Sequence, residues 1–204
     1  MILKDKPIIH KAFEDYLLNH ENVFILLRKQ SDELYTILEK ILICINSGGK
    51  LMLCGNGGSA ADCQHLAAEL TGRFKLDRRP LPALALSTDT SAITAISNDY
   101  HFDDIFARQV QALGKSNDCL IAISTSGNSN NVMRAVEVAR EMQITTIGLL
   151  GKDGGKLKKL LDDSIVVKAL STARIQEAHI FLGHVLCELI EESLVDDDLD
   201  GVVI

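Results

Sequence analysis

No C-x-x-C pair occurs among the five cysteines, Cys44, Cys54, Cys63, Cys119 and Cys187, which are scattered through apolar surroundings. That spacing excludes a disulfide framework and a structural zinc knot, and it reads as buried thiols in a reducing cytoplasm. No apolar stretch approaches the roughly 18 residues that a membrane helix needs. Lys4, Asp5, Lys6 and Pro7 break up the amino terminus where a signal peptide would be apolar. Basic residues are in deficit, 21 Lys and Arg against 28 Asp and Glu, for a net charge of -7. A chain without a concentrated cationic surface is a poor ligand for nucleic acid or anionic lipid, so neither is expected as a partner. Four of the acids, Asp196, Asp197, Asp198 and Asp200, crowd the carboxyl end, which leaves the body only mildly acidic.

The 204 residues, 47% hydrophobic and with only 3 prolines, suffice for one compact core without a linker or repeat. Residues 1–47 read as amino-terminal helices, 48–195 as an α/β core and 196–204 as a solvated acidic tail. Leu34, Ile37, Leu38, Ile41, Leu42 and Ile45 recur at helical steps. The segment from Phe13 to Leu27 is apolar on two sides, which suits burial against another subunit or a large core. From Lys50 onward the pattern changes. Short apolar runs at Lys50–Cys54, Ala83–Leu86, Cys119–Ser124, Ile144–Leu150 and Ile165–Val167 read as buried strands. Between and after them, Ala60–Leu70, Asp103–Leu113, Ser129–Met142, Gly155–Leu161 and Ala173–Leu194 read as helices. The alternation predicts a doubly wound parallel α/β sheet with the two leading helices outside it, and ligands at the carboxyl ends of the strands.

Two strand-to-helix loops suit an anion. The first is Cys54-Gly55-Asn56-Gly57-Gly58-Ser59-Ala60, with Ser59 and Asp62 spaced as a capping box. Gly55, Gly57 and Ala60 also fit a dinucleotide fingerprint, with Asp89 in the next loop as its acidic partner, and a purely structural glycine turn is a third reading. The absence of a Lys after the glycines argues against a nucleotide P-loop. The second loop, Ser124-Thr125-Ser126-Gly127-Asn128-Ser129, brings four hydroxyls to the start of a helix, more than capping requires. Hydroxyls and free backbone N–H groups can envelop a phosphate without a cationic side chain.

His65 and Glu69 stand one helical turn apart on one face. Gln176 and His184 are separated by about 80° and roughly 12 Å along the last helix. If the four converge, two imidazoles, a carboxylate and an amide make a zinc-type site containing an acid/base pair, although spacing of this kind is common by chance.

In order along the chain, Cys54-Gly55-Asn56-Gly57-Gly58-Ser59, His65 to Arg73, Ser97-Asn98-Asp99, Ser124 to Ser129, Gly151-Lys152-Asp153-Gly154-Gly155 and Arg174-Ile175-Gln176-Glu177 resemble the phosphoheptose isomerases of the sugar isomerase (SIS) superfamily. The resemblance runs from about Lys50 to Glu192. It implies a flavodoxin-like α/β fold with about five parallel strands and helices on both faces. It further implies a homotetramer with the amino-terminal helices at subunit contacts and active sites shared between neighbours. The implied reaction converts sedoheptulose 7-phosphate into D-glycero-D-manno-heptose 7-phosphate, the first step toward the heptose of lipopolysaccharide or another surface glycan. By motif, His65, Glu69, Gln176 and His184 match zinc-binding positions, and Glu69 and His184 also match the general base and acid. Asn56, Gly57, Gly58, Glu69, Asn98, Asp99, Ser124, Thr125, Ser126, Ser129 and Gln176 match substrate contacts.

The main alternative is a non-catalytic relative in the same superfamily, a tetramer that binds the bacterial replication initiator. That group lacks the counterparts of Glu69 and His184 and carries an Arg in place of Ser126, so the residues here favour the enzyme. Ala173 departs the other way, standing where some isomerases carry an acid.

Overall fold

The computed structural model describes residues 5–199. Two helices lead, α1 (Lys6–Leu27) and α2 (Ser31–Asn46). The α/β part follows as β1 (Leu51–Gly55), α3 (Gly58–Thr71), β2 (Ala83–Ala85), α4 (Thr90–Asp99), α5 (Ala107–Leu113), β3 (Cys119–Ser124), α6 (Asn130–Glu141), β4 (Thr145–Gly151), β5 (Asp163–Val167) and α7 (Thr172–Leu199). All strand pairs are parallel, in the order β2-β1-β3-β4-β5. This is the flavodoxin-like order, in which the chain reverses direction across the sheet between β1 and β3.

Every residue of β1 and β3 is buried. Side chains alternate between the two faces. Leu51, Leu53, Ile121, Ile123, Ile147, Leu149 and Ile165 join α2, α3 and α7 in one core layer. Met52, Cys54, Leu120, Ala122, Leu150 and Val166 join α5 and α6 in the other. Helix α2 packs outside the sheet as expected, against one of its faces, through Ile37, Ile41, Cys44 and Ile45. By contrast α1 buries only Val23 and exposes Ile8, Ile9, Phe13, Tyr16, Leu17 and Leu18. All five cysteines are free and buried, and burial pushes the Cys54 and Cys187 thiols up to about 12.

The helix expected over Asp103–Leu113 divides into a 3-10 turn, Phe102–Asp104, and α5, and three further helical expectations change. The stretch expected as a helix over Gly155–Leu161 holds only a single 3-10 turn, Leu157–Lys159, because Gly154 and Gly155 take left-handed φ values of 89° and 55°. An unexpected helix, α4, starts where the Asp89 carboxylate accepts the Ala92 N–H at 2.9 Å. The third change lies at the carboxyl end, where the acidic run continues α7 as far as Leu199, and residues 200–204 lie outside the described residues. No described helix is long and apolar enough to cross a membrane.

Candidate active site

The loops after β1 and β3 lie side by side because the two strands pair along their length, with Gly55 opposite Ile123. A reciprocal amide pair joins the first loop to α6. Asn56 donates to Asn131 Oδ1 at 2.8 Å, and Asn131 donates back to Asn56 Oδ1 at 2.8 Å. Ser59 is not the cap of a capping box: α3 already begins at Gly58, Gly57 is the N-cap at φ 58°, and Ser59 is buried inside the first turn. No side chain caps α3, and the Ser59, Ala60 and Ala61 N–H groups are taken up by the Asn56 and Gly57 carbonyls. The dinucleotide reading loses its acidic partner, since Asp89 is engaged in capping α4.

The hydroxyl loop is tightly organised. Ser124 Oγ lies 3.1 Å from Ser129 Oγ and accepts the Gly127 N–H at 3.2 Å, while Ser126 Oγ accepts the Asn128 N–H at 3.1 Å. Gly127, at φ 64°, rests against the next loop so closely that a Cβ would lie 2.0 Å from the Gly154 carbonyl oxygen. Ser129 is the N-cap of α6 and makes no side-chain capping bond. The start of α6 therefore faces the ends of β1 and β3 with the hydroxyls around it.

The helices α3 and α7 pack against each other, Gly183 resting on Leu66. Their contact brings together His65, Glu69 and His184, whose ligand atoms all lie within 4.8 Å of one another. His65 Nε2 is 2.8 Å from His184 Nε2 and 3.2 Å from Glu69 Oε1. Three lone-pair-bearing atoms facing one another require a proton or a cation among them, and two imidazoles with a carboxylate are donors that a divalent metal accepts. The cluster can thus chelate a metal ion.

Gln176, expected as a fourth ligand, lies on α7 about two turns before His184. Its amide lies against the first turn of α3, where a Cβ on Gly58 would come within 2.3 Å of Nε2. That is about two helical turns before His65. It stands against Gly58, where the glycine loop enters the helix. Asn98 and Asp99 close α4 and bond to each other at 2.8 Å, and among the described residues no hydrogen bond ties them to either loop.

Several groups at the site carry no motif. Asp62 shares the face of His65 and Glu69, and its Oδ2 is buried without a partner. Burial raises its pKa, against an opposing pull from His65. Its i,i+3 spacing to His65 is a signal visible in the sequence, masked there by the apparent capping box. Phe74 stacks on His184, 5.5 Å between centroids and 19° from parallel. Nothing in the sequence pattern links those two positions.

The parallel sheet with its glycine and hydroxyl loops at the carboxyl ends of the strands is the architecture of an SIS domain, and the SIS domain family model matches residues 16–151. Within that class the relatives are specific. The chain is 57% identical over 184 residues to the phosphoheptose isomerase of a Nitratiruptor species, covering 88% of this chain and 97% of the relative. The structure of the phosphoheptose isomerase from Neisseria gonorrhoeae superposes with a TM-score of 0.85 at 44% identity, covering 90% of this chain and 99% of that one. The enzyme from Francisella tularensis superposes at 0.86 with 35% identity, covering 89% and 97%. The chain belongs to the phosphoheptose isomerase family of the SIS superfamily, and so to the aldose–ketose isomerases.

Proposed function

We propose that the chain interconverts sedoheptulose 7-phosphate and D-glycero-D-manno-heptose 7-phosphate in the cytoplasm, supplying a heptose precursor for lipopolysaccharide or another surface glycan. The observation that carries this reading is the meeting of Glu69 and His184 from two helices in a chain that also holds a phosphate-type loop at the carboxyl ends of its strands. The phosphate is held by Ser124, Thr125, Ser126 and Ser129 with the start of α6, and the sugar by Asn56, Gly57, Gly58, Gln176, Asn98 and Asp99.

In the open-chain ketose, the Glu69 carboxylate takes the proton from C1 while protonated His184 gives one to the C2 oxygen, forming an enediol. Return of the Glu69 proton to C2, with loss of the O1 proton to His184, leaves the carbonyl at C1 and both side chains as they began. Neutral donors suffice for the phosphate because local N–H and O–H groups, not net charge, set affinity at short range.

The donor set His65, Glu69 and His184 fits zinc, and Gln176 is the remaining candidate ligand. When bound, zinc would polarise the reacting oxygens and fix the orientation of the three side chains.

The exposed apolar face of α1 supports a homotetramer. A cleft of about 660 Å³ lined by Tyr16, Lys168, Leu170 and Arg174 shares no residue with the loops or the cluster. A site this open on one chain is consistent with completion by a neighbouring copy.

Incubation with sedoheptulose 7-phosphate followed by product analysis is the direct test. The wild-type protein should form the aldose and Glu69→Gln, still folded, should not. Turnover by Glu69→Gln near the wild-type rate would overturn the roles assigned here. No product from the wild type would instead favour the non-catalytic, initiator-binding alternative.

A further inference from the structure

The segment that follows α3 is fastened to α7 by a buried acid. Glu191 accepts backbone N–H bonds from Phe74 at 2.7 Å, Lys75 at 2.8 Å and Leu76 at 3.0 Å. It also pairs with Arg78 at 2.9 Å, the two side chains being 1% and 3% exposed. Arg78 turns further donors on the last carbonyls of α3, those of Glu69 and Leu70, each at 2.9 Å. A cation there also suits the negative end of the helix. One ion pair therefore ties together the backbone at Glu69, the segment 74–76 and the part of α7 beyond His184.

The side chain this arrangement places is Phe74. Its ring covers one face of the His184 imidazole, and the edge of that imidazole meets His65 at a centroid distance of 5.1 Å. Lys75, the next residue, pairs with Glu188 on α7 and holds its ammonium 5.7 Å from the Phe74 ring centre. A buried ion pair is a poor device for stability alone, since apolar groups of similar volume are often as stable. What it provides is fixed geometry, here at a ring whose nitrogen must point at one place.

We propose that Phe74 is a positioning residue for His184, held in register by the Glu191–Arg78 pair, so that the imidazole is oriented for the reaction before substrate or metal arrives. The inference rests on the assignment of His184 to the reacting site. Aromatic contact of this kind replaces the second hydrogen bond that usually orients a ligating imidazole.

Three measurements on the full-length protein test it. Phe74→Leu should lower kcat about tenfold with KM within about threefold, and weaken zinc binding to the metal-free protein about tenfold. Phe74→Tyr, which keeps the stacked ring, should restore both. In metal-free wild type, the ring protons of His184 should show the upfield NMR shift of a stacked imidazole, lost in Phe74→Leu. Wild-type kcat and zinc affinity in Phe74→Leu, with Glu69→Gln inactive, would sink the positioning role while leaving the reaction assignment intact. An active Glu69→Gln would remove that assignment instead. Should Phe74→Leu fold poorly, the wild-type spectrum decides, and unshifted His184 ring protons overturn the proposal.

Discussion

His65 and His184 meet nitrogen to nitrogen at 2.8 Å although 119 residues separate them in the chain. With Glu69 Oε1 3.2 Å from His65 Nε2, the three side chains form a pocket of lone pairs from two helices. Protein purified without chelator should carry about one zinc per chain by elemental analysis, and His65→Ala and His184→Ala should each lose most of it. Zinc content unchanged in both variants would place the metal elsewhere.

Gly58 is held close to Gln176, so that an added methyl would lie 2.3 Å from its Nε2. The obstructing atom is the end of a flexible side chain, which can swing aside, and Ala favours a helix over Gly by about 1 kcal/mol, so Gly58→Ala should leave stability in denaturant unfolding within about 1 kcal/mol of wild type. The displaced amide matters more to the substrate than to the fold. We expect KM for the sugar phosphate to rise roughly tenfold, the loss of about one hydrogen bond to a bound ligand. A variant with unaltered KM would show that Gln176 does not touch the substrate.

The Asn56–Asn131 pair sets the glycine loop against α6, and Asn131 is only 2% exposed. Truncating one partner leaves the other's amide buried and unpaired, which costs about 1–3 kcal/mol. Asn56→Ala and Asn131→Ala should each fall in that range, while the double variant should lose clearly less than the two combined. Fully additive losses in chemical denaturation would mean that the two amides are not coupled.

The strands are legible because a parallel strand buried on both faces is a continuous apolar run, and Cys119–Ser124 matches β3 residue for residue. Helix α4 is not, since Thr90-Ser91-Ala92-Ile93-Thr94-Ala95-Ile96 is rich in residues that favour helices weakly. What holds it is the Asp89 cap and its packing of Ile93 and Ile96 on the core. The turn around Gly155 misleads for the opposite reason, an amphipathic pattern preceded by glycines whose left-handed φ ends any helix. At the site, the His65–Glu69 pair follows from helical spacing. The meeting with His184, and the contact of Gln176 with Gly58, depend on how α3 packs against α7, which no local pattern encodes. Phe74 and Glu191, 117 residues apart, are invisible for the same reason.

His179 on α7 is fully buried, and neither ring nitrogen has a hydrogen-bond partner of good geometry among the described residues. Burial pushes its pKa down to about 4, with a weak opposing pull from the Leu150 backbone. Its ordinary value is 6.5, so between 6.5 and about 4 the unfolded chain binds a proton that the folded chain refuses. The stability that a neutral His179 permits is complete above pH 6.5 and is lost progressively as the pH falls toward 4, about 3 kcal/mol over the whole window. His179→Leu removes the titrating group while keeping the volume apolar, so its unfolding free energy should fall less steeply through that window than the wild type's, by up to one proton's slope. Parallel pH profiles for the two proteins in urea unfolding would mean that the ring gains a proton acceptor or water that the fold as described does not provide.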